Sequence, residues 1–170
     1  MPEQKYKSSP ITEVVRIPGK FLIRALNEAS NAGFSTEDFL RQFDLGLAEL
    51  KMPGSLILVS DFATVISRLI EESGIPALGL KAGLGEQIAD YGVYGTAMQC
   101  AASLRQALDF SIQYQDIIGP IVRLKYAQSG GELVMFAEEQ GVSGAAALYE
   151  LEHTFTIMLS LVKYANRCKY

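Results

Sequence analysis

The spacing of apolar residues changes twice along this chain, and this change constrains the fold more than any other feature. In the first two thirds of the chain, apolar side chains recur every three or four residues, which is typical of amphipathic helices. From Ile121 to Ala137 they alternate every second residue on both sides of Gly130 and Gly131, which predicts an antiparallel hairpin. Helical spacing returns at about Ser143. The sequence therefore predicts an α+β fold, a mostly helical single domain with an antiparallel β-hairpin packed on helices.

Turn and cap residues divide the helical part into short helices. The first helix is predicted from about Gly19 to Ala32, and the run Leu56 to Val59 favours a short extended segment before Ser60 caps a later helix. Glycines interrupt the stretch from Ile75 to Gly95 at intervals too short for a long element. This stretch therefore predicts short helical turns joined by tight corners. Ser103 is predicted to cap the helix that follows.

Length and charge exclude several classes of protein. A chain of 170 residues with 49% hydrophobic side chains can bury one sizeable core, so we predict a polar lead over residues 1–17 and a single domain over residues 18–170. The net charge of −4 argues against a surface that neutralises phosphates. With no secretory signal and no apolar run long enough for a membrane span, we expect a cytoplasmic protein without a membrane partner.

Residues suited to catalysis or metal binding are few. The chain contains one histidine, His153, and its two cysteines, Cys100 and Cys168, have neither the spacing nor the neighbours of a metal or disulfide site. We therefore predict a protein that is not an enzyme and has no cofactor. Three interpretations of His153 stay open: a hydrogen-bonded group at a pocket wall or interface, a plain partly buried side chain, or a haem ligand.

Two segments resemble functional motifs without matching them. The spacing Gly79-x-x-x-Gly83-x-Gly85 suggests a phosphate cradle but lacks the GxGxxG pattern and the Gly-Lys-Ser/Thr ending, which favours tight corners instead. The first two predicted helices could be taken for a helix-turn-helix. However, the second one begins with acidic residues at Glu37 and Asp38, which DNA would repel.

The last predicted helix, from about Ser143 to Asn166, is apolar around most of its circumference. Such a helix must be buried on two sides, either inside its own fold or partly against a second copy of the chain. Both interpretations stay open. A coiled-coil-like seam is predicted for it, with the spacing 3, 4, 3, 4, 3, formed by Leu148, Leu151, Phe155, Met158, Val162 and Ala165.

The segments "IPALGLKAGL" and "YGVYGTAMQCAASLRQALDFSIQYQDIIGP" resemble the arabinose-binding-type N-terminal region of AraC-type transcriptional regulators, a group that includes ornithine-utilisation regulators. The resemblance extends from about Phe21 to Asn166 as an ordered series of weak motifs. These are a small-Pro-x-Leu-Gly-Leu segment, a Gly-x-x-Gly corner and a Ser-Leu-x-x-Ala-Leu helix start, carried by Pro76, Leu78, Gly79, Leu80, Gly92, Gly95, Ser103, Leu104, Ala107 and Leu108.

This resemblance implies a bacterial sensor domain that binds a small-molecule effector, forms a homodimer and controls a C-terminal helix-turn-helix domain absent from this sequence. DNA binding would then belong only to that missing domain. The alternative is a stand-alone small-molecule or haem-type sensor with no DNA partner. A dimerisation module with a vestigial pocket is a further possibility.

A ligand pocket is predicted between the Gly92 to Gly95 corner and the flank of the last helix that carries His153. Ligand sites are mostly apolar with a few converging polar groups. Rings that can also donate or accept hydrogen bonds suit such a site, and the sequence offers Tyr91, Tyr94, Tyr114 and His153 as the ligand-binding residues. The competing interpretation is that these tyrosines cover the core with their hydroxyls in water.

Overall fold

The structure is a computed structural model that describes residues 15–118 and 121–167. Helices dominate it, and two small antiparallel sheets complete it. In chain order the elements are β1 (Arg16–Pro18), α1 (Lys20–Asn31), α2 (Thr36–Arg41), α3 (Leu47–Leu50), β2 (Leu56–Leu58), α4 (Val59–Ser73), α5 (Leu78–Leu84), a 3₁₀ turn (Ile88–Tyr91), α6 (Val93–Gln99), α7 (Leu104–Gln113), a second 3₁₀ turn (Gln115–Ile117), β3 (Val122–Ser129), β4 (Glu132–Glu139) and α8 (Gly144–Arg167).

The predicted fold class is confirmed. Strands β3 and β4 form the antiparallel hairpin expected from the two-residue alternation, with Ser129 opposite Glu132 across the Gly130 and Gly131 turn. One face of β3 packs on the helices, since Leu124 is buried against the core. Most of the rest of the hairpin is exposed. The glycine-punctuated stretch also forms the short helices and corners predicted from it, namely α5, the first 3₁₀ turn and α6.

The first sheet pairs two segments that lie far apart in the sequence. Strand β1 runs antiparallel to β2 and places Ile17 opposite Ile57, and both side chains are buried. The extended segment at β2 was predicted, but its partner was not. The prediction that Ser60 caps the next helix is wrong, because β2 continues directly into α4 and Leu58 occupies the N-cap position. Residues 1–14, most of the predicted polar lead, lie outside the described residues.

Helix α8 is the central element of the core. Its inner face packs against α4 and α5, and Tyr149 and Leu161 are almost completely buried there. The predicted seam is not the face of α8 that packs on the core, because Leu148 is 58% exposed and Phe155 is 36% exposed. The buried stripe is rotated around the helix from that seam and consists of Ala146, Ala147, Tyr149, Glu150, His153, Thr156, Ile157, Met158 and Leu161.

No helix in the described part of the chain is long and apolar enough to cross a bilayer.

Close approach of α5 to α8 explains the Gly79-x-x-x-Gly83 spacing. A Cβ atom added to Gly79 would lie 2.1 Å from the carbonyl oxygen of Tyr149. At Gly83 it would lie 2.9 Å from the carbonyl oxygen of His153. Real Cβ atoms do not come this close to other atoms, so the two glycines let the helices touch through their backbones. This contact fixes the part of α8 that faces the cavity described below.

Candidate ligand-binding site

A cavity of about 60 Å³ lies between α6, the inner face of α8 and strand β3. This volume is below the range of about 300–1,000 Å³ that is common for small-molecule sites, so a ligand of ordinary size requires the side chains that line the cavity to move apart. Its walls are mostly apolar. They are formed by Phe21, Met98, Ile118, Ile121, Val122, Leu124, Ile157 and Met158, with polar groups from Tyr91, Tyr94, Gln115, Glu150, His153 and Thr154.

A sharp corner brings Tyr91 and Tyr94 to one wall. Helix α6 folds back onto the 3₁₀ turn so closely that a Cβ on Gly95 would lie 1.7 Å from the carbonyl oxygen of Ile88, which only glycine allows. The centres of the two tyrosine rings are then 6.5 Å apart. The Tyr94 hydroxyl donates a 2.8 Å hydrogen bond to the carbonyl oxygen of Ser111, and burial raises the pKa of Tyr94 to about 12. Tyr94 therefore offers the cavity its ring rather than its hydroxyl.

Tyr91 belongs to a buried polar cluster with Arg24 and Glu86. Its hydroxyl donates to Glu86 Oε2 and accepts from Arg24 Nη1, each over 2.9 Å. Arg24 and Glu86 also form an ion pair, and their side chains are only 11% and 8% exposed. Burial raises the pKa of Tyr91 well above its usual value. The cluster ties α1 to the segment between α5 and the 3₁₀ turn, and it uses both hydrogen-bonding functions of the Tyr91 hydroxyl.

His153 connects this cluster to α8. Its Nε2 lies 3.2 Å from Glu86 Oε1, which is ion-pair distance, although the two groups lack hydrogen-bond geometry. One helical turn earlier, Tyr149 stacks on the imidazole with ring centres 5.9 Å apart and planes 6° from parallel. The Tyr149 hydroxyl is buried without a hydrogen-bond partner among the described residues, and burial raises the pKa of Tyr149.

Glu150 has the least compensated charge in the cavity. Glu150 is 6% exposed and lines the cavity. Within the described ranges, its carboxylate has no hydrogen-bond or ion-pair partner. Burial raises the pKa of Glu150. The charges of His153 and Arg24 act to lower this pKa, and the charge of Glu86 acts to raise it. An ionised carboxylate in such a place lacks the hydrogen bonds that normally offset its desolvation.

The remaining polar groups differ in how much bonding capacity they retain. The Gln115 side chain accepts from the Leu124 backbone N–H over 2.7 Å and donates to the carbonyl oxygens of Ile112 and Leu124. Its amide therefore serves to hold β3 against the end of α7. In contrast, the Thr154 hydroxyl has no hydrogen-bond partner within the described part of the chain. The side chains that line the cavity without a hydrogen bond among the described residues thus lie on α8, at Glu150, His153 and Thr154.

Three of the four residues predicted from the sequence line this cavity, and it lies where the pocket was predicted. Tyr91, Tyr94 and His153 are brought together there. Tyr114 does not line it. Its side chain is 39% exposed, and its ring lies 4.7 Å from that of Phe110, which in turn contacts Tyr94.

Sequence reasoning missed Arg24, Glu86 and Glu150. The available signal was the position of Glu150, three residues before His153 on a helix face that is otherwise mostly apolar. Arg24 and Glu86 gave no comparable signal, because their pairing joins distant segments.

Among the described residues, no three His, Cys, Asp or Glu side chains form a group that could hold a metal ion. The only cysteine described, Cys100, is exposed, and Cys168 lies outside the described residues.

Comparison with known families adds an independent observation. Residues 33–168 match the family described as the arabinose-binding domain of AraC transcription regulators, N-terminal. The chain belongs to this family. The resemblance inferred from the sequence motifs is thereby confirmed, and the cavity lies within the matched part of this AraC-type N-terminal domain apart from Phe21.

A curated relative agrees with this assignment. The chain is 26% identical over 112 residues to the ornithine utilization regulator of Pseudomonas aeruginosa. The match covers 66% of this chain and 33% of the relative. This AraC-type domain therefore spans about a third of the length of the regulator that it matches.

Proposed function

We propose that this AraC-type domain is a regulatory sensor, which binds a small metabolite in the cavity beside α8 and controls a DNA-binding domain elsewhere in its regulator. The observation that carries the proposal is the cavity itself. Its walls are mostly apolar, and Glu150, His153 and Thr154 line it without hydrogen bonds from their side chains to other described residues. Tyr91, Tyr94 and His153 form part of the proposed site, and Tyr114 lies behind Phe110 rather than against the ligand.

Helix α8 is the proposed route of the signal. Its inner face carries Glu150, His153 and Thr154 into the cavity, and its outer face exposes Leu148 and Leu159. A ligand shifts a conformational equilibrium only by binding one state more tightly than another. An element that contacts ligand on one face and a partner on the other can supply that difference, and α8 meets this requirement.

The proposed partner on the outer face of α8 is a second copy of the chain. Leu148, Phe155 and Leu159 are 58%, 36% and 60% exposed and lie on one side of the helix. Exposed apolar side chains grouped in this way favour association, and most homodimers use one self-complementary patch. The helix then has a core face and an interface face, which combines the two interpretations left open by its sequence.

Contact with DNA is proposed for residues other than these. The chain has a net charge of −4, and DNA binding depends on clustered Lys and Arg. Since the domain spans about a third of its P. aeruginosa relative, a regulator of that kind has ample length for a helix-turn-helix domain. Regulation of transcription in turn implies a cytoplasmic protein.

A screen of metabolites by thermal shift tests the sensor function. A ligand present at a hundred times its Kd stabilises the folded state by about 2.7 kcal/mol, which raises the Tm of a domain of this size by roughly 5–10 °C. Thr154→Trp, which fills the cavity from α8, should abolish the shift. Glu37→Trp, at an exposed position on α2 outside the cavity, should preserve it. If no class of compound gives a shift that depends on the cavity, the proposed function is wrong.

The alternative of a stand-alone haem-type sensor rests on the single histidine in an apolar cavity. His153 Nε2 faces Glu86 and would have to leave it in order to bind iron. We therefore expect no Soret absorbance at 1:1 haem in the wild-type protein beyond that of a His153→Gln control. A Soret band that depends on His153 would favour the haem sensor instead.

A further inference from the structure

The unused polar groups of the cavity indicate the chemistry of its ligand. The Tyr91 hydroxyl is engaged by Arg24 and Glu86, the Tyr94 hydroxyl by the Ser111 carbonyl, and the Gln115 amide by backbone groups. The groups left without a hydrogen bond are the Glu150 carboxylate, the Thr154 hydroxyl and the His153 imidazole, whose Nε2 lies 3.2 Å from Glu86 Oε1. In its ionised form the Glu150 carboxylate is only an acceptor, so a ligand that binds to that form must supply the donor.

The charges around the cavity support the same conclusion. Arg24 is paired with Glu86, and the ammonium of Lys20 lies over the rings of Phe21 and Tyr91 rather than among the lining groups. Glu150 is attracted by His153 and Arg24 but forms an ion pair with neither of them in the described structure. A buried carboxylate of this kind gains most from a cationic partner, since a charge-assisted hydrogen bond is roughly twice as strong as a neutral one.

We propose that the cavity binds a ligand with a positively charged amino group on an apolar carbon chain, with the ammonium held by Glu150 and Thr154 and the chain packed against Met98, Ile157 and Met158. This inference rests on the proposed sensor function and specifies its ligand class. A ligand carboxylate at the same position would be repelled by ionised Glu150, and no arginine or lysine is among the described residues that line the cavity.

Titration calorimetry with three matched probes tests the proposal. The probes are hexylamine, hexanol and hexanoate, which share a six-carbon chain and differ only in the polar end. Hexylamine should bind at least about tenfold more tightly than hexanol, and hexanoate should bind more weakly than hexanol. Butylamine and octylamine then test whether chain length changes affinity without changing this order.

Two variants test whether hexylamine binding depends on the Glu150 carboxylate or on the net charge of the protein. Glu150→Gln retains the shape but removes the charge, and it should weaken hexylamine binding at least about tenfold while leaving hexanol binding nearly unchanged. Glu37→Gln changes the net charge identically at an exposed site on α2 outside the cavity and should leave both affinities unchanged. Melting curves of all three proteins establish that each one is folded.

Several results would overturn the proposal. These are equal binding of hexylamine by wild type and Glu150→Gln, stronger binding of hexanol or hexanoate than of hexylamine, or no amine binding when the metabolite screen finds a ligand of another class. In that last case the sensor function stands and only the ligand class is wrong. If neither the amines nor any screened compound binds, the sensor function fails together with this inference.

Discussion

Burial of the Glu150 carboxylate reduces the stability of the fold. A carboxylate that loses water without gaining a hydrogen bond is unfavourable in its charged form, and that effect raises its pKa. Groups of this kind concentrate at binding sites, because the ligand provides the missing partner. The same property that makes Glu150 suitable for ligand binding therefore makes it a source of instability in the empty domain.

Replacing this carboxylate should stabilise the free protein. We expect Glu150→Gln to raise the free energy of unfolding at neutral pH by ~1 kcal/mol, because the amide carries no charge to desolvate. The corresponding rise in Tm is roughly 2–4 °C for a domain of this size. Thermal melts against Glu37→Gln, which should remain within about 0.5 kcal/mol of wild type, provide the check. A lower Tm for Glu150→Gln would mean that the carboxylate has a stabilising partner after all.

The pH dependence of stability follows from the raised pKa of Glu150. Between its ordinary pKa of 4.5 and the raised pKa in the fold, the folded state binds more protons than the unfolded state. The stability contributed by protonated Glu150 is therefore present below pH 4.5 and is lost as pH rises through the folded pKa. The groups that influence this titration are His153 on α8, Arg24 on α1 and Glu86 before the 3₁₀ turn.

Urea unfolding between pH 4 and pH 8 measures this effect. The difference in unfolding free energy between Glu150→Gln and wild type should grow with pH across the interval and then level off. Comparing the two proteins cancels the contribution of the other carboxylates, provided that their own titrations are unchanged. A difference that is constant with pH would show that Glu150 has the same pKa in the folded and unfolded states.

At the residue scale, the sequence predicts part of the site. Tyr91, Tyr94 and His153 were predicted because their rings carry polar ends and two of them flank a glycine corner, and all three line the cavity. Glu86 and Arg24 could not be found in this way. Their significance depends on an ion pair between segments more than sixty residues apart, and no local pattern encodes such a contact.

At the scale of elements, the close packing of α5 against α8 depends on glycines in α5. Alanine is favoured over glycine inside a helix by about 1 kcal/mol, so Gly79 and Gly83 are intrinsically poor choices for α5. Their value lies in the contact with α8, where a methyl group would meet the carbonyl oxygens of Tyr149 and His153. Separation of the helices would also move the His153 side of the cavity.

Three alanine substitutions test this contact. Gly79→Ala should lower the free energy of unfolding by roughly 1–3 kcal/mol through overpacking, and Gly83→Ala should do so less because its nearest contacts are longer. Gly85→Ala is the control, since its Cβ would lie no closer than 3.5 Å to any neighbour, at an ordinary φ of −77°. Urea denaturation distinguishes them. Equal stability of all three variants would show that α5 can move away from α8 without loss.

The elements themselves were largely predictable, because helices, caps and the hairpin are encoded within short windows. Ser103 caps α7 as expected, with its Oγ accepting from the Gln106 backbone N–H over 3.2 Å. The β1 strand was missed because its three residues are extended only through pairing with β2, about forty residues later. The side of α8 that faces the core was not predicted, because apolar residues surround the helix and spacing alone does not distinguish its faces.

At the scale of the whole molecule, the outer face of α8 is a part of the described fold where exposed apolar side chains extend along one side of a long helix. Leu148, Phe155 and Leu159 lie there, and the inner face of the same helix lines the cavity. If two copies associate through this face, the position of α8 becomes common to both domains. A ligand that shifts α8 then changes the association free energy, and association changes ligand affinity by the same factor.

Charge placed on that face should separate the dimer. We expect Leu159→Glu to weaken self-association at least about tenfold, because it brings like charges together around a two-fold axis and leaves them desolvated. Met52→Glu introduces the same side chain at a residue that is 64% exposed in the loop after α3, and it should leave association unchanged. Sedimentation velocity over a concentration series gives the dimer Kd for each protein. Because Leu159 points away from the cavity, ligand binding by monomeric Leu159→Glu should persist with an affinity altered by the coupling factor alone. A variant that remains dimeric would exclude this face of α8 as the interface.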